Sequence, residues 1–243
     1  MVYSSMPQDI RLATRPVLYA TDYEHVPYSF GGTLFVLAYL ERCFGVTCRH
    51  VLGKDGIHNL IVYEAASPVK GMKSLPICGL RHTDDSALGE LNDIAIIEFE
   101  PSVTVQTFQG EIYDLSLSPA CRSAAAQRLR ICGYLSEKGN IDYDGKAIRA
   151  GFGDITCTNL GPLSNDPVIS QAVATYRDWD FMSFDGLSGA PVFNLNMGLL
   201  TGMVVRAGLK ADGTASIWYI EIYHILRIIE SIYRDSTAVS YVL

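Results

Sequence analysis

The feature that most restricts what this chain can become is a succession of short, β-rich apolar runs separated by turn residues, with helical periodicity confined to one stretch near the end. Such a succession suits a β-barrel or a β-sandwich. Runs 33–39 (TLFVLAY) and 43–47 (CFGVT), joined by the polar pair Glu41-Arg42, read as a hairpin. Runs 59–63 (NLIVY) and 94–99 (IAIIEF) read as further strands. Ile94, Ile96 and Phe99 cannot share one face of an alternating strand, so that run is expected to be covered on both sides. Between 101 and 128 the chain changes character, with Pro119 and a short Ala run, and reads as a connection between two halves. The second half opens at 129–135, turns at Lys138-Gly139-Asn140, and carries a second hairpin signal at Asp144-Gly145. Strands are expected near 152–158, 168–175, 191–194, 199–206 and 216–220. Only 221–234 has helix spacing: Ile222, Ile225, Leu226, Ile229 and Tyr233 form one face, and Arg227, Glu230 and Arg234 are left for water. His224 on this helix reads as structural.

Charge and cysteine usage narrow the function classes. A net charge of −7 argues against a nucleic-acid-binding face and against a polybasic membrane contact. The first residues lack a basic start followed by an apolar run, and no apolar stretch is long enough to span a bilayer, so a cytoplasmic location is expected. The six cysteines are expected to be reduced, because a chain of this length does not need stapling. Cys43, Cys48 and Cys132 lie in strand-like runs, where a free Cys acts as a small hydrophobe. A metal reading built on Cys78, His82 and His58 lacks a paired C-x-x-C and a second cluster. Asp84, Asp85 and Glu90 read as a solvated acidic turn rather than a calcium loop. No phosphate-binding glycine loop or nucleotide fingerprint is present, and no cofactor is expected.

Three stretches carry chemistry. They are Gly45-Val-Thr-Cys-Arg-His50-Val, Leu91-Asn-Asp93-Ile-Ala, and Phe184-Asp-Gly186-Leu-Ser188-Gly-Ala-Pro191-Val. A histidine at a strand end, or an aspartate before a buried strand, is usually structural when it stands alone. G-x-S-G-x-P is more specific, and the order His, Asp, Ser joins the three. Acyl transfer to a serine needs a base for the hydroxyl proton, a carboxylate to hold that base in the right tautomer, and amides converging on the oxyanion. Gly186 and Ser188 flank one residue of a tight loop, so their amides can point into one concavity. Asp185 beside this loop either shapes substrate choice or caps the turn.

These stretches resemble the His, Asp and Ser signatures of the trypsin/chymotrypsin-like serine peptidases, in that family's chain order. Separations of 43 and 95 residues agree with the family habit. Gly31-Gly32-Thr33-Leu34 resembles the glycine-led strand before the family histidine, and Gly202-Met-Val-Val-Arg-Ala the strand that walls its primary pocket. The resemblance implies an all-β, chymotrypsin-like double six-stranded β-barrel with a C-terminal helix. Its expected divisions are an N-terminal extension at 1–24, a first barrel at 25–115, a second at 116–220, and a helix and tail at 221–243. It implies a serine endopeptidase in which Ser188 is the nucleophile, His50 the general base and acid, and Asp93 its orienting partner. Gly186 and Ser188 would supply the oxyanion-hole amides. Met182, six before the serine, would form the floor of the primary pocket, and Val205, Arg206 and Ala207 its wall. This set implies an uncharged, mostly apolar preference, with Arg206 a competing anchor for acidic side chains.

The departures point to an intracellular, bacterial-type or viral-type branch. Leu187 stands where many relatives carry the Asp that pairs with a freed amino terminus, so no activating cleavage is expected. Phe30 and Val51 replace the cysteines that bracket the histidine in secreted relatives, and Ala190 replaces a glycine. Expected partners are protein or peptide substrates, and a regulatory protein whose identity the sequence does not give. The alternative is a weak or inactive barrel that binds peptides or proteins, although the intact triad argues against it. An α/β-hydrolase esterase fails on order, since His50 precedes Ser188 and position 190 is Ala.

Overall fold

A computed structural model describes residues 9–26, 28–53, 56–65, 73–82, 86–108, 110–142, 147–175 and 179–239. Asp84, Asp85 and the Asp144-Gly145 turn lie outside the described residues. After a short helix, α1 (Ile10–Ala13), the first half contains β1 (Thr14–Ala20), β2 (Tyr28–Tyr39), β3 (Arg42–Cys48), β4 (Leu60–Ile61), β5 (Ile77–His82), β6 (Ile94–Phe99) and β7 (Tyr113–Asp114). Six strands follow the order β4-β1-β2-β3-β6-β5, and β7 runs parallel to β2. An isolated bridge between Tyr63 and Ser74 brings the two ends of this sheet together. Beside it the Leu75 amide donates to the Val62 carbonyl at 2.7 Å. The sheet therefore curls around its apolar face.

The second half contains β8 (Arg128–Asp142), β9 (Ala147–Pro162), β10 (Ile169–Thr175), β11 (Pro191–Asn194), β12 (Leu199–Leu209) and β13 (Thr214–Glu221). These close into a six-stranded barrel in the order β10-β13-β12-β11-β8-β9. Helix α2 (Ile222–Val239) follows. The expected all-β double-barrel architecture with a C-terminal helix is the one observed.

Most strands follow from their residues. All six residues of β6 are buried, because sheet neighbours and core cover both of its faces. The β2–β3 hairpin turns at Leu40-Glu41, one residue earlier than expected, with Leu40 at φ 55 and Tyr39 opposite Arg42. Cys43, Cys48 and Cys132 are buried free thiols. Helix α2 buries Ile222, Ile225, Ile229 and Ile232. It also reaches across to the first half, where the Tyr233 hydroxyl donates to the Tyr39 carbonyl at 2.8 Å.

Two local expectations are corrected. Residues 14–20, assigned to an N-terminal extension, form β1 between β2 and β4. Pro16 is tolerated there because β1 meets β4 only at Leu18 and Tyr19, leaving an open edge at the proline. The Arg15 side chain is buried with no exposure, donating to the carbonyls of Tyr63 (3.2 Å), Glu64 (3.1 Å), Glu111 (2.6 Å) and Thr14 (3.1 Å), and to that of Leu12. Lys138-Gly139-Asn140 is not a hairpin turn. It lies in β8, where the pairing with β9 slips between Leu135 and Asn140.

Candidate active site

Strand register brings the first two residues together. Cys48 at the end of β3 lies opposite Ile94 at the start of β6. His50 therefore emerges in the 3₁₀ turn just beyond β3, beside Asp93 just ahead of β6. The imidazole Nδ1 lies 2.7 Å from Asp93 Oδ2 and 2.9 Å from Oδ1. The His50 backbone amide donates to Oδ1 at 3.0 Å. The carboxylate thus grips both the ring and the main chain of His50. This hydrogen bond raises the His50 pKa above its ordinary value of 6.5, partial burial opposes the rise, and the charges of Asp93 and Glu90 add to it.

Ser188 comes from the second half. Its loop is tied to β12 by the Gly189 amide donating to the Val204 carbonyl (2.8 Å) and the Val204 amide donating to the Ala190 carbonyl (2.8 Å). Gly186 has φ 94 and Gly189 φ 87. A Cβ on Gly189 would lie 1.9 Å from the Thr33 carbonyl oxygen, so the loop passes too close to the first half for any side chain. Leu187, 1% exposed, packs into the second barrel's core with Ala190 and Val192.

His50, Asp93, Gly186 and Ser188 line one cleft of about 550 Å³ between the halves. Among the described residues, the amides of Gly186 and Ser188 donate to no protein acceptor, so both can serve a ligand oxygen. The Ser188 hydroxyl donates to the Val205 carbonyl at 3.1 Å, and no hydrogen bond joins it to His50. Proton transfer to His50 therefore requires the hydroxyl to turn away from Val205.

The expected substrate-binding residues divide. Val205 and Ala207 line the cleft. Arg206 also lines it, but its guanidinium is paired with the Glu90 carboxylate from the first half and lies over the Trp218 ring. Met182 does not form a pocket floor: it is 71% exposed and lines no part of the cleft. The Glu137 carboxylate accepts the amides of Met182 (2.9 Å) and Ser183 (2.6 Å), which holds this segment outward. Phe184 stands at the cleft instead, its ring packed edge-on against Trp179 (5.5 Å) and Phe181 (5.3 Å). Sequence reasoning missed Phe184, Ser136 and the role of Glu90. Only Phe184 left a signal, as one of three closely spaced aromatics before Ser188.

Cys48 Sγ, a His50 nitrogen and an Asp93 oxygen lie within 4.8 Å of one another, a separation a metal ion could bridge. The imidazole and carboxylate are already hydrogen-bonded, and the Cys48 thiol donates to the Val204 carbonyl at 3.2 Å. Burial pushes that thiol well above its usual range, which disfavours the thiolate a metal needs. The donor set suits a hydrogen-bonded network better than a cation.

No protein-family model and no curated protein sequence matches the chain. Solved structures do. A scabies mite inactivated protease paralogue, S-D1, superposes with a TM-score of 0.60 at 12% identity, over 90% of this chain and 91% of that one. The human heparin binding protein superposes with a TM-score of 0.62 at 11% identity, over 94% of each chain. The fold is chymotrypsin-like. At such low identity the likeness extends to the fold alone. In this chymotrypsin-like frame His50 and Asp93 come from the first half and Ser188 from the second, facing one another across the seam.

Proposed function

We propose that the protein is a serine endopeptidase that hydrolyses peptide bonds through an acyl-enzyme on Ser188. The observation that carries this reading is the His50 imidazole gripped by Asp93 in the same cleft as Ser188 and two unengaged amides. Ser188 Oγ attacks the scissile carbonyl carbon while His50 Nε2 takes its proton. The amides of Gly186 and Ser188 stabilise the oxyanion, and the protonated imidazole returns its proton to the leaving amine. Water, deprotonated by His50, then attacks the ester and frees Ser188. Asp93 keeps Nδ1 protonated, leaving Nε2 free to act as base.

Substrate preference follows from the lining. Phe184, Val205 and Ala207 offer apolar surface, and Glu90 already engages the charge of Arg206. An uncharged, mostly apolar residue before the scissile bond is the preference these groups support, because a buried Arg or Lys would lose hydration without a partner. Peptides and proteins, free in the cytoplasm, are the proposed substrates, with a restraining partner protein. The net charge of −7 argues against a nucleic acid, an anionic membrane or a sulfated polymer such as heparin as the partner.

A second reading is a barrel that binds peptides without cleaving them. It is favoured by the Ser188–Val205 hydrogen bond and by the Glu90–Arg206 pair that joins the two sides of the cleft. One experiment separates the readings. A fluorophosphonate probe should label the full-length parent without proteolytic trimming, and should not label Ser188→Ala. An unlabelled parent that still binds peptide would establish the second reading.

A further inference from the structure

The Ser188 loop has no charged anchor behind it, since Leu187 is apolar and buried. Besides its ties to β12 and the Ser136 amide donating to the Asp185 carbonyl (2.9 Å), the loop is held from the other half of the molecule. Thr33 on β2 is fully buried, and all of its polar groups are engaged. Its amide donates to the Ser188 carbonyl at 3.2 Å. Its hydroxyl donates to the Gly186 carbonyl at 2.7 Å and accepts the Tyr134 amide at 2.8 Å. Its carbonyl accepts the Thr47 hydroxyl at 2.7 Å, so Thr33 is itself braced from β3.

The consequence lies in the peptide planes. The Gly186 carbonyl shares a plane with the Leu187 amide, which donates to the Phe184 carbonyl at 3.0 Å. That plane is therefore held at both ends, by Thr33 at its oxygen and by Phe184 at its nitrogen. The next carbonyl along the loop to be held from outside is that of Ser188, also by Thr33. The amides of Gly186 and Ser188 lie in the two adjoining planes, whose carbonyls accept the Ser136 amide (Asp185, 2.9 Å) and the Ala190 amide (Leu187, 2.9 Å). Among the described residues neither amide has a protein acceptor, and the plane that Thr33 fixes sets the angle between them. A peptide flip at 186–187 would break the hydroxyl bond and bury an unpaired carbonyl.

We infer that Thr33 is the positioning residue for the oxyanion amides: its buried hydroxyl, bridging the Tyr134 amide and the Gly186 carbonyl, holds the Ser188 loop in its acceptor-ready shape from the opposite half. The inference rests on the peptidase reading. Thr33 touches neither substrate nor the reacting atoms, and it acts through the loop.

The test compares the parent, Thr33→Val, Thr33→Ser and a core control, Ile155→Val, in the full chain. Hydrolysis of an activated ester is followed alongside fluorophosphonate labelling. Thr33→Val keeps the shape and loses the hydroxyl, so kcat and the labelling rate should fall about 10- to 100-fold while KM stays within about threefold. Thr33→Ser should recover the parent kcat to within about threefold. Ile155→Val trims the second barrel's core and removes no hydrogen bond of the loop, and it should lower the melting temperature without lowering kcat. Amide hydrogen exchange should quicken across 184–190 in Thr33→Val and stay at parent levels in β10. If Thr33→Val does not fold, Thr33→Cys, which keeps only a weak donor, should show the same loss confined to kcat. A reactive parent whose Thr33→Val or Thr33→Cys variant keeps its kcat and loop exchange overturns the inference alone. An unreactive parent overturns the peptidase reading, and with it the role of these amides.

Discussion

Replacing Gly186 by Ala separates the geometry of the Ser188 loop from its chemistry. A Cβ there would lie 2.7 Å from the Tyr134 carbonyl oxygen and 2.7 Å from the Phe30 ring, on a backbone at φ 94. Ordinary contact begins at 3.4 Å, so the loop must retreat by about 0.7 Å. The positive φ costs an L-residue about 1–2 kcal/mol in addition. An oxyanion donor works at about 2.7–3.1 Å, so a retreat of that size moves the Gly186 amide out of range. Losing one such donor lowers kcat about 10²- to 10³-fold, or roughly 2.7–4 kcal/mol in the barrier. Gly213 provides the control, since it has φ 78 with nothing within 4 Å of its Cβ position. Gly213→Ala should show the backbone strain, a loss of roughly 2–8 °C in melting temperature, with activity intact. Ester hydrolysis and thermal melts on both variants form the assay. Equal activity in the two would refute the claim that the close approach at Gly186 sets the amide position.

Four further outcomes follow. Glu90 contributes to the raised His50 pKa, and a general base must be neutral, so Glu90→Gln should move the acid limb of the kcat/KM profile to lower pH; an unchanged or raised limb would contradict the assigned electrostatics. The same raised pKa means that the stability gained from the protonated imidazole is complete below 6.5 and is lost as pH climbs through the folded value. Arg15, whose pKa burial pulls down to about 10, is still charged near neutrality; Arg15→Met should cost on the order of 3–5 kcal/mol in urea unfolding, because it strands several buried carbonyls, and a loss under about 1 kcal/mol would show that they find other donors. Cleavage of a peptide library should favour apolar residues before the scissile bond, whereas dominance of Arg or Lys would refute the part given to Phe184, Val205 and Ala207.

What could be read from the sequence was what is local. Strand β6 is an unbroken apolar run, α2 shows its period, and the residues around His50, Asp93 and Ser188 are short motifs whose order carries information beyond each residue. What was hidden depends on partners far along the chain. Met182 leaves the cleft because Glu137, 45 residues earlier, accepts its amide. Arg206 is engaged by Glu90, 116 residues away, and Thr33 reaches Gly186 across 153. β1 escaped notice because Arg15 and Pro16 look like loop residues until the carbonyls around the guanidinium and the open sheet edge are in view. No pattern of neighbouring residues encodes such pairings, which exist only once the two halves have met.

The route of α2 across to Tyr39 gives biosynthesis a direction. A ribosome releases His50 and Asp93 first, Ser188 much later, and the helix that fastens the second half to the first later still. A nascent chain therefore exposes His50 and Asp93 long before Ser188 exists to face them, and the contact between Tyr233 and Tyr39 is among the last to form.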